Sequence, residues 1–318
     1  MGSKMQQAKY PLQEILDECI KLSKQAGDAI MQVYNSGDFA KQADVKIKSD
    51  DSPLTKADLA SHHVIVNALE KKFPEIPCLS EESEGIAFEQ RKQWQQCFII
   101  DPLDGTKEFI ARNGEFTVNI ALVIDGSPIL GVIYAPVLKT LYYAAEGIGA
   151  FKTEGNGKSR PIKVRALTEN KGKQHFTVVA SRRNGLEKVE ALCQNFASYD
   201  LTSSGSSLKM CLVAEGTADL YPRLALTSEW DTAAAQAIVE NAGGQLVQLD
   251  FSAMTYNKKE CLLNPHFLVL GDPNFDTHHR MFNRYRFERC NNIKATWLSC
   301  FRFSQTGKRC RAFTKFRF

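Results

Sequence analysis

Leu12, Ile15, Leu16, Cys19, Leu22, Ala26, Ile30 and Val33 recur at helical spacing, which predicts an amphipathic opening helix of about six turns. It ends before Ser36 and Gly37. A second helix is expected from Thr55 to Lys72, approached through Pro53 and closed by Phe73 and Pro74. Short apolar runs then take over, from Cys97 to Ile100, Thr117 to Ile124, Ile129 to Tyr134 and Leu141 to Ala145. Asp125-Gly126 between two of these runs reads as a hairpin turn, so an antiparallel sheet is expected here. The second half changes character. A buried strand is expected from Thr177 to Ala180 and a short one from Ala218 to Tyr221, among helices at Leu186 to Phe196, Ser206 to Glu215 and Asp231 to Asn241. Gly243-Gly244 closes the last helix, and Leu246-Val247 and Phe267 to Leu270 supply further strands. The glycine-rich, basic stretch from Glu154 to Pro161 reads as a loop near a boundary, and no internal repeat is visible.

After Gly271 the periodicities stop. The formal charge of +4 must therefore be divided along the chain. From Pro273 to Phe318 there are 11 Lys and Arg against 2 Asp and Glu, whereas residues 1 to 272 carry 29 against 34. The basicity belongs to the tail, and the acidic body does not suggest a specific nucleic-acid-binding surface. The tail also holds ten aromatics and three cysteines, an odd composition for a core or for a soluble disordered region. It reads either as an appended segment that does not pack or as a stretch that adheres to an anionic membrane or to RNA.

No run of about 18 apolar residues exists, and the opening MGSKMQQAKYPLQE lacks the apolar stretch of a secretory signal, so a cytoplasmic protein is expected. The tail leaves room for peripheral contact with the cytoplasmic face of the inner membrane. Gly2 suggests N-myristoylation, but Gln6 stands where that motif wants Ser or Thr. The nine cysteines are scattered and contain no C-x-x-C pair, which argues against a zinc ribbon or a disulfide framework. His62 and His63 are adjacent, point in different directions on a helix and suit structural or solvent roles.

The most informative segment is Phe98-Ile-Ile-Asp101-Pro-Leu-Asp104-Gly-Thr106. A buried strand ends in a carboxylate, a proline forces the chain out of the ladder, and a second carboxylate follows with a glycine and a hydroxyl. Two such acids repel each other unless protonated or neutralised, and a hard divalent cation with oxygen ligands is the usual solution. Magnesium fits better than zinc because no Cys or His accompanies them. Alone, the segment reads equally as an ordinary turn. Three others add to it: Leu79-Ser-Glu81-Glu82-Ser, Trp230-Asp231-Thr-Ala-Ala and Thr55-Lys-Ala-Asp58. Asp231 reads equally as a helix cap and Asp58 as a solvated helix acid.

Four such segments in this order resemble the inositol monophosphatase superfamily of lithium-sensitive magnesium phosphatases, over about residues 10 to 271. DPLDGTKEFIARNGEFTVNIAL, GSSLKMCLVAEGTADLYPR and WDTAAAQAIVENAGG are similar to the CysQ-type 3'(2'),5'-bisphosphate nucleotidases within it. The resemblance implies an α/β (α+β) fold built as a layered α-β-α-β-α sandwich. It also implies a metal-binding domain with an antiparallel sheet over 10–160 and a substrate-binding domain over 161–271, with 1–9 a leader and 272–318 outside the fold. Carried over by position, it makes Glu81, Asp101, the Leu103 carbonyl, Asp104 and Asp231 ligands of two or three Mg2+ ions. Glu82 is left without a role. Thr106 matches the hydroxyl that holds the attacking water and Asp58 the acid that accepts from it, in keeping with a threonine being too weak a base alone. Gly105, Thr106, Ser206, Lys209, Arg223 and Asp231 would meet the substrate, with Ser206 and Lys209 on one helix face.

Arg223 stands where inositol monophosphatases carry an acid for sugar hydroxyls, and a cation there suits a second phosphate. The implied substrate is adenosine 3',5'-bisphosphate, or its sulfated relative 3'-phosphoadenylyl sulfate, in support of sulfate assimilation. Relatives often place a histidine against the adenine where this chain has Asn184. Two rival readings remain: an inositol mono- or polyphosphate phosphatase, and a silent nucleotide- or membrane-binding protein. Oligomeric state is not legible.

Overall fold

A computed structural model of the chain describes residues 8–36, 45–47, 53–83, 85–167, 175–182 and 185–273. The expectations for the leader through residue 7, for Asn184 and for the tail from residue 274 lie outside the described residues. Among the described residues no helix is long and apolar enough to cross a membrane.

The opening helix, α1, spans Leu12–Asn35. A short antiparallel pair, β1 (Val45–Ile47) and β2 (Pro53–Thr55), leads into α2 (Lys56–Lys72). Then come β3 (Cys78–Ser80), α3 (Phe88–Arg91), β4 (Gln96–Asp104), α4 (Thr106–Ile110), β5 (Thr117–Ile124), β6 (Ser127–Ala135), β7 (Thr140–Ala145), β8 (Gly149–Glu154) and β9 (Arg160–Pro161). These seven strands from β3 onward form one sheet in chain order, antiparallel throughout except for the parallel β3–β4 pair. The turn between β5 and β6 has Asp125 at φ 49° and Gly126 at φ 79°, the left-handed pair that a two-residue hairpin needs. The expected loop from Glu154 to Pro161 is in part a strand: β9 pairs with β8 and extends the sheet edge.

A second sheet holds β10 (His175–Ala180), β11 (Ser198–Ser203), β12 (Leu220–Arg223), β13 (Gln245–Gln248) and β14 (Phe267–Leu270), in the order β11-β10-β12-β14-β13. Between its strands run α5 (Leu186–Cys193), α6 (Leu208–Ala214) and α7 (Glu229–Asn241).

Burial explains the layering. Strand β4 sends Phe98 and Ile100 into a core with Leu16, Leu22 and Ile65 of α1 and α2. Its intervening Ile99 enters a second core with Met210 of α6, Ala234 and Ile238 of α7, and Tyr221 and Val269 of the second sheet. A sheet covered on both faces reads as continuous apolar runs rather than alternation, as these strands do. The far face of the second sheet packs Val178 and Leu268 against Val189 and Cys193 of α5. The order is therefore helix, sheet, helix, sheet, helix, as expected.

The alanine run of α7 lets that helix lie close on β6. A Cβ at Gly131 would sit 2.1 Å from the Ala234 carbonyl oxygen, so only glycine fits. Gly131→Ala is expected to destabilise the protein by about 1–3 kcal/mol, as overpacked cores do, and to displace the helix that carries Asp231. An unchanged midpoint of chemical denaturation would contradict this contact.

Candidate active site

Strand β4 leaves its regular pairing with β5 between Asp101 and Asp104. Pro102 lies inside that break, and its carbonyl is held by the Ser61 hydroxyl of α2 at 2.7 Å. The break turns both acids to the same side. Gly105 follows at φ 93°, a left-handed conformation that favours glycine, and α4 begins at Thr106.

Two further acids arrive by one local device. Thr55 and Ser228 cap α2 and α7, and the third residue of each helix, Asp58 and Asp231, returns a carboxylate to the cap's backbone N–H at 2.8 Å. Capping occupies one carboxylate oxygen. The reading of Asp231 as the helix cap itself is corrected: Ser228 is the cap and Asp231 the third helical residue that bonds back to it, and the same side chain also faces Asp101 and Asp104. One carboxylate oxygen from each of the three lies within 4.8 Å of the others. Glu81, at the end of β3, raises the proton affinity of both Asp101 and Asp231 by its charge but is not part of this tight group.

Burial makes the group costly to ionise. Asp101, 1% exposed, is held well above the usual carboxylate range, first by burial and then by Glu81, Asp104, Asp231 and Asp58. Asp104 is also raised, by burial against the opposing pull of Lys209 and the hydrogen bonds of Ser207 and Asn119. Asp231 is pushed up to about 7 by burial and by Asp104. Three crowded, partly dehydrated carboxylates with oxygen donors alone fit a hard divalent cation, which would supply the missing positive charge.

Each raised group holds its proton in the folded state at a pH where the unfolded chain has lost it, so its stabilising contribution is present at low pH and lost as pH rises. Without metal, the melting temperature is expected to fall as pH climbs toward and through about 7, the region in which Asp231 ionises. Added Mg2+ should raise it more at pH 8 than at pH 5. A metal-induced shift independent of pH would contradict the reading.

Thr106 stands where its hydroxyl can donate to Asp58 Oδ1 at 3.3 Å or to the Leu103 carbonyl at 3.5 Å. The other carboxylate oxygen of Asp58 takes the Thr55 hydroxyl at 2.5 Å as well as the cap N–H. Asp58 is 1% exposed and is therefore not a solvated helix acid. His62 is structural, its Nδ1 lying 2.9 Å from the Ser80 hydroxyl.

Ser206, Lys209 and Arg223 line the same pocket as Asp104 and Asp231. The expectation that Ser206 and Lys209 share a helix face is corrected. Ser206 has φ 42° and precedes α6, which starts at Leu208, so Lys209 folds back to donate to the carbonyls of Ser204 and Ser206. Burial lowers the Lys209 ammonium to about 8. Arg223 donates one terminal nitrogen to the Leu226 carbonyl at 2.9 Å, and its buried Nε has no hydrogen-bond partner.

Sequence reasoning missed the support of Asp104. The Ser207 backbone N–H donates to Asp104 Oδ2 at 2.6 Å, and Asn119 Nδ2 and the Thr117 hydroxyl approach it at 3.4 and 3.5 Å. The Ser207 hydroxyl donates to Asn119 Oδ1 at 2.9 Å, and all three residues are buried. This network ties β5, the end of β4 and the start of α6 to one carboxylate. Polar residues at 117 and 119, alternating with apolar 118 and 120 in a buried strand, were the available signal.

An acid cluster at an interrupted strand, between two sheets and sharing a pocket with a buried lysine and a half-buried arginine, defines a phosphatase-type site. The characteristic pattern of the inositol monophosphatase family matches residues 11–278, and the chain belongs to that family. Its relatives include the 3'(2'),5'-bisphosphate nucleotidase CysQ of Salmonella typhimurium, 49% identical over 255 residues that make up 80% of this chain and 99% of the relative. The CysQ of Haemophilus influenzae is 38% identical over 267 residues, 83% of this chain and 95% of its own. Among solved structures, CysQ from Bacteroides thetaiotaomicron superposes with a TM-score of 0.71 at 42% identity, covering 82% of this chain and 98% of that one.

Proposed function

We propose that the chain removes the 3'-phosphate of adenosine 3',5'-bisphosphate, giving AMP and inorganic phosphate, and acts likewise on 3'-phosphoadenylyl sulfate. The observation that carries this reading is one pocket that joins the carboxylates Asp104 and Asp231 to two cations, the buried Lys209 and the half-buried Arg223. A monoester needs only the acid side of such a pocket. A second phosphate accounts for the cations, above all for an arginine whose buried Nε has no partner. The names of the relatives point the same way.

In this reading Glu81, Asp101, the Leu103 carbonyl, Asp104 and Asp231 hold two or three Mg2+ ions. Bound magnesium supplies charge neutralisation of the ester and acidification of water. The protein residues do the rest. Thr106 orients the attacking water opposite the ribose oxygen. As the water oxygen bonds to phosphorus, its proton passes to Thr106 while Thr106 passes its own to Asp58. The bond from phosphorus to the ribose oxygen breaks, and that oxygen takes a proton from solvent. Backbone N–H groups at Gly105 and Thr106 would donate to the same phosphate.

A phosphate-release panel with Mg2+ tests the proposal on adenosine 3',5'-bisphosphate, 3'-phosphoadenylyl sulfate and inositol 1-phosphate. The nucleotides should turn over fastest. Faster release from inositol 1-phosphate would transfer the chain to the cyclitol phosphatases, and no release from any would make it a binding protein. Arg223→Ala should weaken the bisphosphate by about 30-fold or more, the lower end for stripping one partner from a buried charge pair, and inositol 1-phosphate far less. Equal losses on both would remove the second-phosphate role.

A further inference from the structure

We infer that Arg182 is a second-phosphate selector, parked on Glu115 and released to the substrate only when the ligand brings a phosphate beyond the one that is cleaved. The inference rests on the nucleotidase reading and deepens it.

Arg182 follows β10 and lines the same pocket as Asp104, Lys209 and Arg223. Its side chain is 48% exposed and forms an ion pair with Glu115, itself 26% exposed. Glu115 belongs to the other half of the molecule, two residues before β5. Its place beside the pocket is fixed independently: a Cβ on Gly205 would lie 2.6 Å from the Glu115 carbonyl oxygen and 2.7 Å from its Cβ. The backbone of Glu115 therefore presses on the turn that presents Ser206, and the ion pair spans from the first sheet to the second at the rim of the pocket.

The cations of this pocket differ in what holds them. Lys209 is buried and committed to two backbone carbonyls that cannot leave without refolding the turn. Arg182, half exposed, is held by a side-chain carboxylate that is partly exposed although the oxygen facing the guanidinium, Oε2, is buried. The guanidinium can be reached from solvent, and a side-chain partner, unlike a backbone carbonyl, can be replaced. A phosphate dianion offers the guanidinium fork the same two-oxygen geometry as a carboxylate, with more charge. Exchange requires the Glu115 side chain, 26% exposed, to turn outward to water. A ligand with only the reacting phosphate, which is drawn to the acid side, offers nothing to exchange. The pair thus adds affinity only for ligands with a second anionic group and withholds Arg182 from the rest. Glu115 has a definite part in this: it competes with the ligand.

The test compares adenosine 3',5'-bisphosphate with adenosine 3'-monophosphate, which share the reacting group and differ in the 5'-phosphate alone. The readout is the ratio of kcat/KM for the two substrates, measured on the full chain. Arg182→Ala should lower that ratio by about tenfold through KM, with Arg182→Lys between it and the wild type. Glu115→Gln should raise the ratio severalfold, and it should do nothing in the Arg182→Ala background. Thermal melting accompanies each variant, and Glu115→Gln carries the test if Arg182→Ala does not fold. An unchanged ratio in Arg182→Ala, or a lowered one in Glu115→Gln, makes the pair a structural strut and overturns the inference while the nucleotidase reading stands. Wild-type protein that fails to prefer the bisphosphate over the 3'-monophosphate would sink both.

Discussion

Asp101→Asn should cut phosphate release by about a thousandfold or more, since a lost metal ligand forfeits several kcal/mol of transition-state stabilisation at 1.4 kcal/mol per tenfold. The same substitution should make the metal-free protein more stable above pH 7. Asp101 is the most deeply buried of three mutually repelling carboxylates, and an amide there removes one negative charge from the group. Its local duty survives, because Asp101 Oδ1 only accepts the Leu103 N–H at 3.1 Å and an asparagine oxygen can do the same. Activity and stability therefore move in opposite directions. A variant that lost both would indicate that Asp101 is mainly structural, and one that kept its activity would remove the metal assignment.

Thr106→Val is the second large effect. It deletes the hydroxyl that stands 3.3 Å from Asp58 and 3.5 Å from the Leu103 carbonyl while keeping the shape of the side chain. General-base assistance contributes about 10²- to 10⁴-fold, and kcat should fall by that order while Mg2+ binding and KM change little. Metal affinity measured beside turnover separates the two roles. A fall in metal affinity without a matching fall in saturated kcat would make Thr106 a metal-site residue instead of a water-orienting one.

Much of this was legible in the chain because the site is written in local devices. Pro102 marks an interruption of the ladder, although β4 resumes its pairing at Asp104 instead of ending at Asp101, and Asp125-Gly126 specifies its hairpin by left-handed dihedrals. Thr55 with Asp58 and Ser228 with Asp231 each have the spacing of a capping box, which places an acid at a helix start whatever its further use.

What was not legible depends on contacts between distant segments. Strand β3 is three residues long, too short for any period to register, and it exists by pairing with β4. Strand β11 is an edge strand of mostly exposed residues, so it lacks the apolar alternation of its neighbour β10. The start of α6 was misplaced because Ser206 adopts a positive φ that its residue type does not announce. Ser207 was missed for the related reason that its contribution is a backbone N–H, given to a carboxylate 103 residues away. The pairing of Arg182 with Glu115 is likewise invisible until both sheets are assembled.

The central claim is that acids from the end of β4 and from the start of α7 hold cations together. Calorimetric titration of Mg2+ into the wild-type chain and into Asp101→Asn, Asp104→Asn and Asp231→Asn tests it without any substrate. The account predicts saturable binding in the wild type that is weakened about tenfold or more in every variant, including the one on the distant helix. Binding left intact by Asp231→Asn would contradict it.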